Sequence, residues 1–127
     1  HKIDTEIVIE NDITFLNDIQ NQEDLEFFID LLDIYLKDLP VIIDEIKVAV
    51  ENDNFEKLKF YTHKLKGSTL TLGIESISEY CYDLEKAADE EMIDEYIVSQ
   101  TRVLGSYIRK VIAELKLLKE KYLNYKY

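Results

Sequence analysis

The stretch HKLKGSTLTLG, His63 to Gly73, gathers the residue types from which chemistry could be built. His63 is the only histidine besides His1, and the stretch adds two lysines and two of the chain's three glycines. Neutral imidazole is a competent nucleophile near pH 7. If His63 took up a phosphoryl group, ammonium groups at i−4 and i+3, on Lys59 and Lys66, would stand where they offset the new negative charge. Gly67 costs a helix about 1 kcal/mol relative to alanine. Beside an exposed imidazole, that missing side chain opens a close approach to the ring for another macromolecule. A histidine that receives and hands on a charged group needs no acid–base machinery of its own. It needs an exposed ring, local positive charge, and access for the partner that carries the group.

Other chemistries fit less well. A hydrolytic triad needs nucleophile, base and orienting acid within mutual reach, and one helix face with one histidine does not supply them. Metal sites draw on several His, Cys or carboxylate ligands at helical spacing, so no metal site is assigned. KGST has the wrong residue order for a phosphate-binding loop, which requires Gly-Lys-Ser/Thr after a glycine-rich turn.

The elements that must position His63 can be read from apolar spacing. Phe28, Leu32, Tyr35, Leu39, Ile42, Ile46 and Val50 alternate by four and three, which predicts a long helix over about Asp24 to Glu51. Pro40 lies inside it and is expected to bend rather than end it. ENDN reads as a turn, with Asp53 and Glu56 as a capping box for the next helix, about Asn54 to Leu72. Gly73 stands where a left-handed cap is expected. A further helix, roughly Glu75 to Ala88, aligns Ile77, Cys81, Leu84 and Ala88. After DEE, a last one runs from about Met92 to Tyr122, with Ile93, Ile97, Leu104, Ile108, Ile112, Leu115 and Leu118 inward. Gly105 lies within it. A short helix over Asp12 to Ile19, with Ile13, Leu16 and Phe15 inward, precedes them. The fold class is therefore all-α, an antiparallel four-helix bundle with an extra short N-terminal helix. Residues 1–11 are read as an arm, 12–123 as the bundle and 124–127 as a tail.

On the third of these helices Phe55, Leu58, Thr62, Leu65, Thr69 and Leu72 fill an arc about 100° wide. His63 points about 130° from its centre, toward solvent. Lys59, Lys66, Gly67 and Leu70 surround it at spacings of three, four and seven, with Phe60 and Lys64 on the flanks. Exposed Phe60 and Leu70 beside the ring suggest a docking surface.

Composition narrows the partners. The formal charge is −12, with 27 acidic against 15 basic residues, which disfavours nucleic acid and anionic membranes. No apolar run reaches the roughly 18 residues of a membrane span and no signal-peptide pattern opens the chain. The single cysteine, Cys81, excludes an internal disulfide and is read as a small core residue; a cytoplasmic location is expected. The chain opens at His1 without methionine, as a piece of a longer chain or a tagged one would, and His1 receives no function. The nine tyrosines form no functional pattern.

HKLKGSTLTLG resembles the signature of histidine-containing phosphotransfer (HPt) domains, roughly H-x-L-K-G-S/A-S/A-x-x-L/M-G. The match covers His63, Leu65, Lys66, Gly67, Ser68, Leu72 and Gly73. CYDLE, Cys81 to Glu85, looks like the family's C-x-x-L-E segment, and the similarity spans about Ile13 to Leu118. The resemblance implies a phosphorelay intermediate, not an enzyme, phosphorylated at His63 Nε2. It implies that Lys66 neutralises the phosphoryl group, that Gly67 leaves room for a receiver domain, and that Glu85 orients the imidazole through Nδ1. Ser68 matches a position sometimes near the histidine. Many members carry a basic residue after the Leu-Glu pair, whereas KAADEE here is mostly acidic after Lys86. The partners implied are receiver domains and a hybrid or sensor histidine kinase, with Mg²⁺ in the receiver and no cofactor in this chain. A monomer is expected because four helices close the core.

Two other readings fit the motif less well. The dimerisation domain of a histidine kinase carries H-E-x-K/R-T-P, where Lys64 and Gly67-Ser68 stand here instead. A helical adaptor with the same fold and no phosphotransfer would lack the His-x-x-Lys-Gly set.

Overall fold

The computed structural model describes residues 17–125 as four helices, with no strand among them. They are α1 (Gln22–Glu51), α2 (Phe55–Leu72), α3 (Ser78–Glu90) and α4 (Glu95–Leu123). The expected arm over 1–11 and most of the short helix expected over 12–19 lie outside the described residues. Asn17 and Asp18 form a brief 3₁₀ turn.

α1 starts two residues earlier than its apolar stripe predicts because Asn21 caps it, its side chain accepting from the Asp24 N–H at 2.8 Å. The seven stripe residues from Phe28 to Val50 are all buried, and the helix continues unbroken through Pro40. At the next junction the expected capping box is not what forms. Asp53 adopts a left-handed conformation with φ 52° and belongs to the turn. The cap passes to Asn54, whose side chain accepts from the Lys57 N–H at 3.1 Å.

α2 ends as its glycine predicts. Gly73 has φ 86°, its N–H donates to the Leu70 carbonyl at 2.9 Å, and the Ile74 N–H donates to the Thr69 carbonyl at 2.8 Å. Together these two bonds form a Schellman motif. That turn delivers Ile74 and then Ile77 into the core, both 1% exposed. α3 therefore starts at Ser78 rather than Glu75. It also outlasts the predicted end at Ala88, closing on Glu91, which takes the left-handed cap at φ 52°. α4 begins at Glu95 rather than Met92, since the Asp94 side chain accepts from the Ile97 N–H at 2.9 Å.

The core lies between the four helices. α2 gives it Leu58, Leu65 and Leu72, α3 gives Cys81 and Leu84, and α4 gives Leu104, Ile108, Val111, Leu115 and Leu118, all fully buried. Phe55, Ile93 and Ile112, expected inside, pack only partly against it. α1 packs on α2 and α4, and α3 packs on α2 and α4, so the helices close a ring.

Candidate functional site

The outer face of α2 meets one edge of α3. Leu58, Thr62, Leu65, Thr69 and Leu72 bury the inner face of α2, and this rotation turns His63 outward with 77% of its side chain exposed. The ring is not bare. Nδ1 faces Oε2 of Glu85, on α3, at 3.7 Å. That is an ion-pair distance, too long for the hydrogen bond through which the carboxylate was expected to orient the ring. The other Glu85 oxygen, Oε1, accepts from the Lys66 ammonium at 3.5 Å. A single carboxylate thus faces both the imidazole and the Lys66 ammonium.

Lys59, expected beside the ring as a free cation, is engaged elsewhere. Its ammonium donates to Oδ1 of Asp89, one turn beyond Glu85 on α3, at 2.7 Å. This hydrogen bond and the charge of Asp89 raise the lysine pKa above its usual value. The acidic run after the Leu-Glu pair therefore has a local role that sequence reading missed: Asp89 takes up Lys59. Lys86 turns away, lining a different hollow with Asp83 and Glu90.

Lys59, Phe60, His63, Lys64 and Glu85 line one shallow concavity. Phe60 is 59% exposed, its ring edge-on to Tyr61 with centroids 5.0 Å apart. Leu70, 52% exposed, lies two turns beyond His63 along the helix. A Cβ built on Gly67 meets nothing within 4 Å, so the surface beside the histidine is open. Ser68 stands about 140° around the helix from His63, half-buried and apart from this group.

Beneath the face lies Cys81, buried, its thiol pushed up to about 12, chiefly by burial and then by the Glu85 charge, with Lys66 pulling it down. It is an unreactive core thiol. Among the described residues no cluster of His, Cys, Asp and Glu is arranged to hold a metal ion.

A small hollow on one helix face, with a protruding imidazole and a neighbouring ammonium, suits receipt of a group presented by another protein better than enclosure of a substrate. The Hpt domain family model matches residues 30–119, which takes in α2, α3 and most of α1 and α4. The chain belongs to the Hpt domain family. Hpt domains act in phosphotransfer within two-component signalling, as phosphocarriers rather than catalysts, and meet receiver domains and histidine kinases. No curated protein and no solved structure gives a significant match. Among the described residues no helix is long and apolar enough to cross a membrane.

Proposed function

We propose that His63 accepts a phosphoryl group from a receiver-domain aspartate and passes it to another receiver domain. The observation that carries this reading is the outward imidazole, 77% exposed, on a helix whose opposite face is fully committed to the core. Nδ1 faces Glu85, which leaves Nε2, across the ring, for the incoming phosphorus. In the transfer the Nε2 lone pair forms the N–P bond as the aspartyl P–O bond breaks, and the aspartate leaves as a carboxylate. The imidazolium formed keeps its Nδ1 proton directed at Glu85, which favours that charge. Lys66, now on Glu85 Oε1, would turn to the phosphoryl oxygens, and Gly67 would admit the receiver. Mg²⁺ belongs to the receiver, and the chain contributes no cofactor.

The same reading takes the bundle as antiparallel and the working unit as a cytoplasmic monomer. The pairs Lys59–Asp89 and Lys66–Glu85, whose numbers run oppositely along α2 and α3, support the antiparallel arrangement.

The test is incubation with a phosphorylated receiver domain and Mg²⁺. Label is expected on the protein in acid-labile, alkali-stable form, and none on His63→Gln. Label retained by that variant would remove His63 from the mechanism.

A further inference from the structure

A second concavity, of about 280 Å³, lies at the seam of α1 and α4, away from the α2–α3 edge that holds His63. Its floor is buried and largely apolar: Ile43 and Val50 from α1, Gly105 from α4. Its rim carries Lys47, Arg102 and Arg109 against a single carboxylate, Glu51. Arg102 and Arg109 are the only arginines in the chain. Seven residues apart, they share one face of α4, with Gly105 between them. Gly105 decides where Arg109 lies: a Cβ there would meet Nη1 at 3.5 Å and Nη2 at 3.7 Å. The guanidinium is thus folded back over the glycine, into the groove.

The charge pattern sets this rim apart. Lys57, Lys59, Lys66 and Lys119 each pair with a carboxylate, in a chain of formal charge −12 where carboxylates abound. Lys47, Arg102 and Arg109 make no ion pair among the described residues. Cations that converge on a hollow without carboxylates paired to them leave a positive field there, and guanidinium forks match carboxylate or phosphate oxygens two at a time. An apolar floor beneath such a rim is the arrangement of a small-molecule pocket, and the volume lies just under the usual range of about 300–1,000 Å³.

We infer that this groove binds a small organic anion, its apolar body on the Ile43–Val50–Gly105 floor and its carboxylate or phosphate on Arg102 and Arg109. The inference stands independently of the role of His63.

The test is a titration of isotope-labelled protein, followed by NMR, with phenyl phosphate and separately with benzene-1,2-dicarboxylate. The two arms separate a phosphate from a carboxylate ligand, and inorganic phosphate controls for charge alone. Saturable shifts are expected at backbone amides of residues 43–51 and 98–109, with at least one aromatic anion tighter than inorganic phosphate. Arg102→Gln with Arg109→Gln should weaken that binding by about tenfold or more, and the double lysine variant by less, because lysine keeps the charge without the fork. All four rim side chains are exposed, so an unchanged melting temperature is expected to show these variants folded. Absence of saturable shifts with both anions would overturn the inference. So would equal affinity in the glutamine variant, or shifts confined to residues 59–70. Binding of a glutamate homopeptide alone would also overturn it, making the groove a contact for an acidic protein.

Discussion

Glu85 acts on three groups at and beneath the His63 face: one oxygen takes the Lys66 ammonium at 3.5 Å, the other faces His63 Nδ1 at 3.7 Å, and its charge helps keep Cys81 protonated. The last effect has a measurable consequence. Burial first, and Glu85 second, raise the thiol from 9.0 to about 12. Between those values the unfolded chain gives up a proton that the folded chain retains. The stabilising contribution is therefore complete below pH 9 and is lost as pH rises toward 12, at about 1.4 kcal/mol per pH unit. Urea unfolding at pH 8, 9 and 10 should show wild type losing stability more steeply than Cys81→Ala; parallel curves would refute the assignment. His63, Lys66 and Gly67 were legible at this scale because one helix carries them at fixed spacing. Asp89 was not: its partner Lys59 is 30 residues away on another helix, and one-dimensional spacing does not record which helix edges will meet.

At the scale of the element, α2 has two termini of different legibility. Gly73 announces its end, since a left-handed residue favours glycine. Its start was misread by one position, because Asp53 and Asn54 are both good caps and only the turn, which puts Asp53 at φ 52°, decides between them. Ser78 as the start of α3 was hidden for a related reason: its position follows from the burial of Ile74 and Ile77 after the Schellman turn. Inside α2, Gly67 should separate stability from function. With nothing within 4 Å of an added Cβ, Gly67→Ala should stabilise the fold by about 0.5–1 kcal/mol in urea unfolding. Gly67→Gln should fold as well, yet slow phosphoryl transfer from a receiver domain by about tenfold or more, as a loss of some 1.4 kcal/mol at the docking step would give. Transfer at the wild-type rate would mean that the gap does not serve the partner.

For the whole molecule, the apolar stripes were the most legible feature, because four amphipathic faces can be buried together only by closing on one another. What the stripes do not report is how evenly the bundle holds together. α1 spans the molecule: Phe28 packs edge-on against Tyr122 and Asp33 pairs with Lys119 of α4, while Glu45 further along pairs with Lys57 of α2. Pro40, between these two regions, has no N–H, so one rung of the helical ladder is missing there. Local opening of α1 is therefore expected to divide at that rung. Amides from Gln22 to Leu39 should exchange with deuterium sooner than those from Val41 to Val50, and Pro40→Ala should bring the two sets together. On that expectation the end of the molecule built on Phe28 and Tyr122 loosens and re-forms while the ground beneath His63 stays still.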